Sequence, residues 1–181
     1  MKAFISGGAK NGKTTLGQEL AVHLAGGGAH YYVATMIPVD AEDDERILRH
    51  IADRAGMGFE TIECPRRILS CLDNADRNGV FLLDSVTALL QNEMFPPENG
   101  YEPDPSAAER CAGELLAFVR AVRGAVLVSD YIFSDAGNYD PVTEQYRRAL
   151  ASIDRMLARE CDTVVELAAG RRIVHKGGLP F

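Results

Sequence analysis

The residues best equipped for chemistry come early in the chain. Positions 7 to 14 read Gly-Gly-Ala-Lys-Asn-Gly-Lys-Thr, which fits the pattern G-x-x-x-x-G-K-[ST]. Around a phosphate group, the backbone N–H groups of Gly7, Gly8, Ala9, Lys10, Asn11 and Gly12 turn inward, where larger side chains at the glycines would block them. Lys13 brings a point charge to the outer phosphates, and the Thr14 hydroxyl suits Mg²⁺. A helix opening near Lys13 adds the positive end of its dipole. The pattern predicts a bound nucleoside triphosphate. It does not choose the reaction, because such loops serve kinases, motors, switches and transporters alike.

Two further groups of residues belong to the same chemistry. In Gly-Val-Phe-Leu-Leu-Asp-Ser, four apolar residues carry a strand up to Asp84. A carboxylate there either holds Mg²⁺ through water, contacts nucleotide, or merely caps the next helix. Between Asp40 and Arg54, acidic residues stand at the front of a helical pattern and Arg toward its back, which complements a helix dipole. Spacings of three and four place Ile47, His50, Ile51 and Arg54 on one face. From the residues alone, His50 reads as a partly buried, hydrogen-bonded histidine.

The elements that must position these groups alternate. Strands are predicted at residues 2–6, 30–36, 58–64, 79–85, 124–130, 162–170 and 171–177, and helices at 13–24, 40–55, 66–74, 107–122 and 140–160. The central strands are continuous apolar runs rather than alternating ones, which implies that both faces are covered. Strands alternating with helices predict an α/β fold with a mostly parallel sheet flanked by helices. The proline-rich stretch from Met94 to Pro105 reads as an exposed connector, with a lid as the alternative.

Composition narrows the function further. The 181 residues, 46% hydrophobic and 25% charged, suit one domain spanning 1–181. A net charge of −7 with no block of Lys or Arg argues against a nucleic-acid surface. Arg171, Arg172 and Lys176 read as solvated charges, with contacts to phosphates as the alternative. Cys64, Cys71, Cys111 and Cys161 stand too far apart for a metal cluster and read as reduced thiols in or near the core. No signal peptide and no apolar run of the ~20 residues that span a bilayer is evident, so a cytoplasmic protein is expected. Without the Asn-Lys-x-Asp run that reads guanine and without the insertions of a motor, the small size points to a small-molecule kinase.

The order of Gly-Gly-Ala-Lys-Asn-Gly-Lys-Thr, Tyr-Val-Ala-Thr-Met, Arg-Ile-Leu-Arg-His-Ile-Ala-Asp-Arg, Phe-Glu-Thr-Ile-Glu, Leu-Leu-Asp-Ser-Val-Thr and Val-Leu-Val-Ser-Asp resembles one family along nearly the whole chain. It is the adenosylcobinamide kinase / adenosylcobinamide-phosphate guanylyltransferase family of cobalamin biosynthesis. The resemblance implies a P-loop NTPase-like domain, usually homotrimeric, that phosphorylates adenosylcobinamide, a corrinoid. It then implies transfer of GMP from GTP, through a guanylylated histidine, to give adenosylcobinamide-GDP. GTP with Mg²⁺ is the implied cofactor pair, with ATP an alternative phosphate donor and Thr14 and Asp84 the metal-side residues. His50 corresponds to the nucleophile; a neutral imidazole attacks well near pH 7 and its phosphoramidate passes GMP onward. Ala34, Thr35, Met36, Ile51, Ala52, Asp53, Arg54, Glu63 and Asp84 correspond to nucleotide contacts. The match departs after Val-Leu-Val-Ser: Asp130 stands where the family carries Asn, and Tyr131, Ile132 and Phe133 where it carries Glu-Val-Gly. A plain P-loop kinase with a structural His50, or a nucleotide-dependent regulatory protein, are the other readings.

Overall fold

The computed structural model describes the chain from Met1 to Phe181 apart from Asp40, Ser134 and Ala136 and the side chains of residues 41–44, 46 and 53. The acidic front of the His50 helix and the Asp53 side chain therefore lie outside the described residues.

Seven strands form one sheet: β1 (Lys2–Gly7), β2 (His30–Ala34), β3 (Glu60–Glu63), β4 (Val80–Asp84), β5 (Gly124–Asp130), β6 (Thr163–Ala168) and β7 (Arg171–Lys176). Their order across the sheet is β3-β2-β4-β5-β1-β6-β7. The first six run parallel and β7 returns antiparallel to β6. Among the described residues the α-helices are α1 (Lys13–Ala25), α2 (Ala41–Asp53), α3 (Val86–Met94), α4 (Ala107–Ala121) and α5 (Pro141–Glu160). A single sheet built from the whole chain agrees with the mostly parallel α/β expectation.

The apolar runs explain the layering. Along β4 and β5 every residue but the last is buried, because helices cover both faces. On one face Leu16, Leu20 and Ala21 of α1 pack on Ile5, Leu82, Val126 and Val128. On the other, Leu89 of α3, Phe118 of α4 and Leu150 of α5 pack on Phe4, Phe81, Leu83 and Leu127. There Phe81 stacks on Tyr31 with centroids 4.7 Å apart and meets Phe118 edge-on at 5.7 Å. All four cysteines are buried in this second layer as free thiols.

Three local features differ from the expectations or add to them. The helix expected at 66–74 is only a 3-10 turn at Ile68–Leu72. Arg67 enters it at φ 51, a left-handed conformation that stops an α-helix from starting upstream, and its N–H donates to Glu93 Oε1 at 2.6 Å. Helix α3 was not anticipated, although Ser85 caps it by accepting from the Ala88 N–H at 3.2 Å. Third, Arg172 and Lys176 are not simply solvated. Arg172 reaches Glu19 at 3.1 Å, and the Lys176 ammonium donates to the carbonyls of Arg159 and Cys161 at 2.8 and 2.6 Å, at the C-terminal end of α5. The Met94–Pro105 stretch is largely exposed and is closed at its base by the Asp104 N–H donating to Met94 O at 2.8 Å.

Phe118 is fully buried and joins α4 to the sheet through Phe81. Replacing Phe118 by Ala is expected to lower unfolding stability by about 3–5 kcal/mol, read as a fall in the urea midpoint at unchanged slope.

Candidate active site

The parallel strands bring the C-terminal ends of β1, β4 and β5 to one edge of the sheet, where open α/β folds bind ligands. The loop Gly7–Thr14 leaves β1 there and enters α1. Gly12 stands before α1 at φ 91, a conformation for which glycine is the ready residue. Gly7 is needed for close approach: a Cβ on it would lie 2.6 Å from both Asn11 Nδ2 and Leu167 O. Asn11 donates to that same Leu167 carbonyl, which fastens the loop to β6. Gly12 has no side chain with which to cap α1, which leaves the first N–H groups of the helix without that acceptor.

Lys13 is only 5% exposed. Its ammonium donates to Gly8 O at 2.5 Å and to Asn11 Oδ1 at 3.4 Å, and pairs with Asp130 Oδ1 at 2.6 Å. Thr14 Oγ1 donates to Asp84 Oδ2 at 2.8 Å, and the Tyr32 hydroxyl donates to the same oxygen at 2.8 Å. Asp84 thus joins the loop rather than capping α3, a task that Ser85 performs. The Thr14 hydroxyl and the Asp84 carboxylate are hard oxygen donors, a small set of the kind that suits Mg²⁺ when phosphates and waters complete its shell.

A chain of contacts connects this cluster to the helix that carries His50. The Arg54 guanidinium lies 4.2 Å above the centre of the Tyr32 ring and donates to Thr61 Oγ1 at 3.1 Å. Tyr32 and Thr61 are register partners on β2 and β3. Arg54 follows α2 directly, one helical turn after His50. His50 is half-buried, and its Nδ1 is buried with no hydrogen-bond partner among the described residues.

The remaining expected contacts fall at different depths. Ala34 ends β2 beside Asp84, its register partner on β4. Thr35 is fully buried, and its hydroxyl donates to Ser85 O at 2.9 Å and accepts from the Ser85 N–H at 2.7 Å. Asn92 donates to Thr35 O at 2.7 Å and to Pro65 O at 3.0 Å, so the ends of β2 and β3 are tied to α3. Met36 is half-buried, whereas Ile51, Ala52 and Glu63 are exposed, Glu63 at the end of the edge strand β3. Gly8, Gly12 and Lys10 occupy the loop itself, with Ala9 and Lys10 exposed. Sequence reasoning did not assign Tyr32 a role and met Asp130 only as a departure. The signal for Asp130 was the one used for Asp84: a carboxylate ending a buried apolar strand.

Phosphate loop, helix and sheet together define a P-loop NTPase fold. Solved structures of the same fold include the flagellar accessory protein FlaH of Methanocaldococcus jannaschii (TM-score 0.55, 14% identity, 98% of this chain and 78% of that one). Others are a protein of Pyrococcus horikoshii OT3 (TM-score 0.53, 9%, 97% and 86%) and an ATPase domain (TM-score 0.50, 9%, 97% and 76%). At these identities the likeness concerns the fold alone. Residues 3–174 match the model of the cobinamide kinase / cobinamide phosphate guanyltransferase family, and the chain belongs to that family. It is 27% identical over 179 residues to the bifunctional adenosylcobalamin biosynthesis protein CobP of Pseudomonas aeruginosa, covering 98% of each. Kinase and guanylyltransferase activity come with that membership. Among the described residues no helix is long and apolar enough to cross a membrane.

Arg147 contacts three described residues of the segment that departs from the family pattern. Arg147 of α5, nearly buried, donates from Nε to Ile132 O at 3.0 Å and from Nη2 to Asp135 Oδ1 at 2.8 Å, and its guanidinium covers the Tyr139 ring at 4.4 Å. Beneath it, Ser129 Oγ donates to Asp154 Oδ1 at 2.9 Å, while Asp154 Oδ2 is buried without a hydrogen-bond partner among the described residues. Burial, with a lesser push from Asp130, raises the Asp154 carboxyl from 3.8 to about 7. Because the unfolded chain ionises first, stability contributed by protonated Asp154 is full below about pH 4 and is lost as pH rises to about 7. Asp154→Asn removes that ionisation. Its stability relative to the parent is expected to improve by on the order of 2–4 kcal/mol between pH 4 and pH 8, measured by urea unfolding at both pH values.

Proposed function

We propose that the protein phosphorylates adenosylcobinamide and then guanylylates the product through a covalent intermediate on His50. The observation that carries this is the line of contacts Thr14–Asp84–Tyr32–Arg54, which runs from the phosphate loop to the residue one turn beyond His50. Lys13 and the backbone of Gly7 to Gly12 bind the nucleotide phosphates, and Thr14 with Asp84 holds Mg²⁺, whose charge offsets that of the phosphates. Asp84 keeps the Thr14 hydroxyl oriented, and Tyr32 keeps Asp84 oriented.

In the kinase step the side-chain hydroxyl of adenosylcobinamide attacks the terminal phosphorus of GTP or ATP, and the nucleoside diphosphate leaves. In the transfer step a ring nitrogen of His50 attacks the α-phosphorus of GTP, the bond to the β-phosphate oxygen breaks, and pyrophosphate departs. The phosphate of adenosylcobinamide phosphate then attacks the same phosphorus and releases the histidine. An imidazole nitrogen is a suitable nucleophile for phosphorus, and His50 is half-buried with its Nδ1 unpartnered among the described residues. Arg54, one turn on, neutralises phosphate charge beside it. Ala34, Thr35, Met36, Ile51, Ala52, Asp53 and Glu63 complete the nucleotide's surroundings, Thr35 by fixing the backbone of the β2 and β4 ends rather than with its own hydroxyl. A cytoplasmic homotrimer belongs to the same reading.

Intact-mass spectrometry after incubation with Mg²⁺ and GTP tests it. The expected result is an acid-labile gain of one GMP moiety in the wild type and none in His50→Ala. A protein that binds GTP yet gains no adduct would exclude the covalent route and leave the kinase alone.

A further inference from the structure

Asp130 is the second carboxylate at the phosphate loop, and its placement is fixed from three sides. It pairs in register with Gly7, the first residue of the loop. The Tyr131 N–H donates to Gly7 O at 3.2 Å, and its own N–H donates to Thr87 Oγ1 at 2.8 Å. These contacts hold the backbone at Asp130, so that side-chain rotation is the readiest way for the carboxylate to move. Its side chain is 23% exposed, open enough for a ligand to meet.

An ammonium has three protons to donate, and that of Lys13 meets three acceptors: Gly8 O, Asn11 Oδ1 and Asp130 Oδ1. The first two are neutral. The third carries a full charge and makes the shortest contact but one. An arriving phosphate must replace one of them, and displacing Asp130 leaves a carboxylate anchored beside the phosphate oxygens. On the far side of β5 stands a further carboxyl group, that of the buried Asp154, which accepts from Ser129. Asp84, held by Thr14 and Tyr32, supplies a second negative charge at the same edge.

We propose that Asp130 sets the nucleotide affinity of the phosphate loop: it occupies the Lys13 ammonium until the outer phosphates displace it, and thereby makes tight binding conditional on a divalent cation. In a loop with a neutral residue at this position, Lys13 alone attracts the phosphates. Here the lysine is already neutralised, so the cation must overcome the charge of two carboxylates as well as that of the phosphates. The Asn that the resembled family carries at this place would keep an oxygen for Lys13 without the charge. The inference rests on the reading of Gly7–Thr14 as a nucleotide site.

Isothermal titration with GTP in EDTA and in saturating Mg²⁺ provides the test, on wild type, Asp130→Asn and Asp130→Ser, with folding checked by thermal melting. In EDTA both variants are expected to bind GTP at least tenfold more tightly than the wild type. In Mg²⁺ the difference shrinks, so that the ratio of the two affinities contracts. A merely structural role for Asp130 would weaken binding in both conditions and leave that ratio unchanged, which would overturn the inference. Affinities within twofold of the wild type in EDTA would overturn it too. A wild type that binds no GTP even in Mg²⁺ would instead overturn the nucleotide-site reading itself, and Asp130's role with it.

Discussion

Everything at the candidate site depends on β5 lying between β1 and β4, parallel to both. That arrangement puts the phosphate loop, Asp84 and Asp130 at the ends of three neighbouring strands, all on one edge. It holds because β4 and β5 are apolar on both faces and so gain only when helices cover each side. A slip of one residue in β5 would turn Asp130 away from Lys13 and put Ser129 in its place. The core thereby fixes which charge meets the lysine.

The two faces of the sheet divide the work. The α1 face carries the phosphate loop, Asp84, Tyr32 and, through Arg54, the helix bearing His50. The opposite face is the larger apolar layer, and it anchors the ends of the strands from behind: Thr87 on Asp130, Asn92 on Thr35, Ser85 on α3. The site's polar groups are therefore positioned by backbone and hydroxyl contacts from elements with no part in catalysis themselves. Ordering of that kind favours electrostatic preorganisation, which phosphoryl transfer needs more than it needs covalent chemistry.

Electrostatically, the site balances on a few charges. One buried lysine pairs with Asp130, while a second carboxylate, Asp84, accepts from Thr14 and Tyr32. Asp154, which accepts from Ser129, has its carboxyl pushed up to about 7 by burial. After Asp130, where the family pattern is lost, Arg147 ties Ile132 and Asp135 to α5.

By itself the sequence determined the phosphate loop, the parallel α/β architecture and Asp84 as a strand-end carboxylate, because these rest on local signals: glycine spacing, continuous apolar runs, a lysine and a threonine in fixed order. It also pointed to His50, through resemblance rather than through spacing. Local signals failed at Arg67, whose left-handed backbone and bond to Glu93 are set by a residue 26 positions away, and at Lys176, whose partners are carbonyls at the end of another helix. Only the tertiary structure paired Asp130 with Lys13, joined Tyr32 to Asp84 and stacked Arg54 over Tyr32. Those contacts link residues far apart in the chain, and which side chains meet there depends on strand order and register, set by packing of the whole core rather than by any one segment.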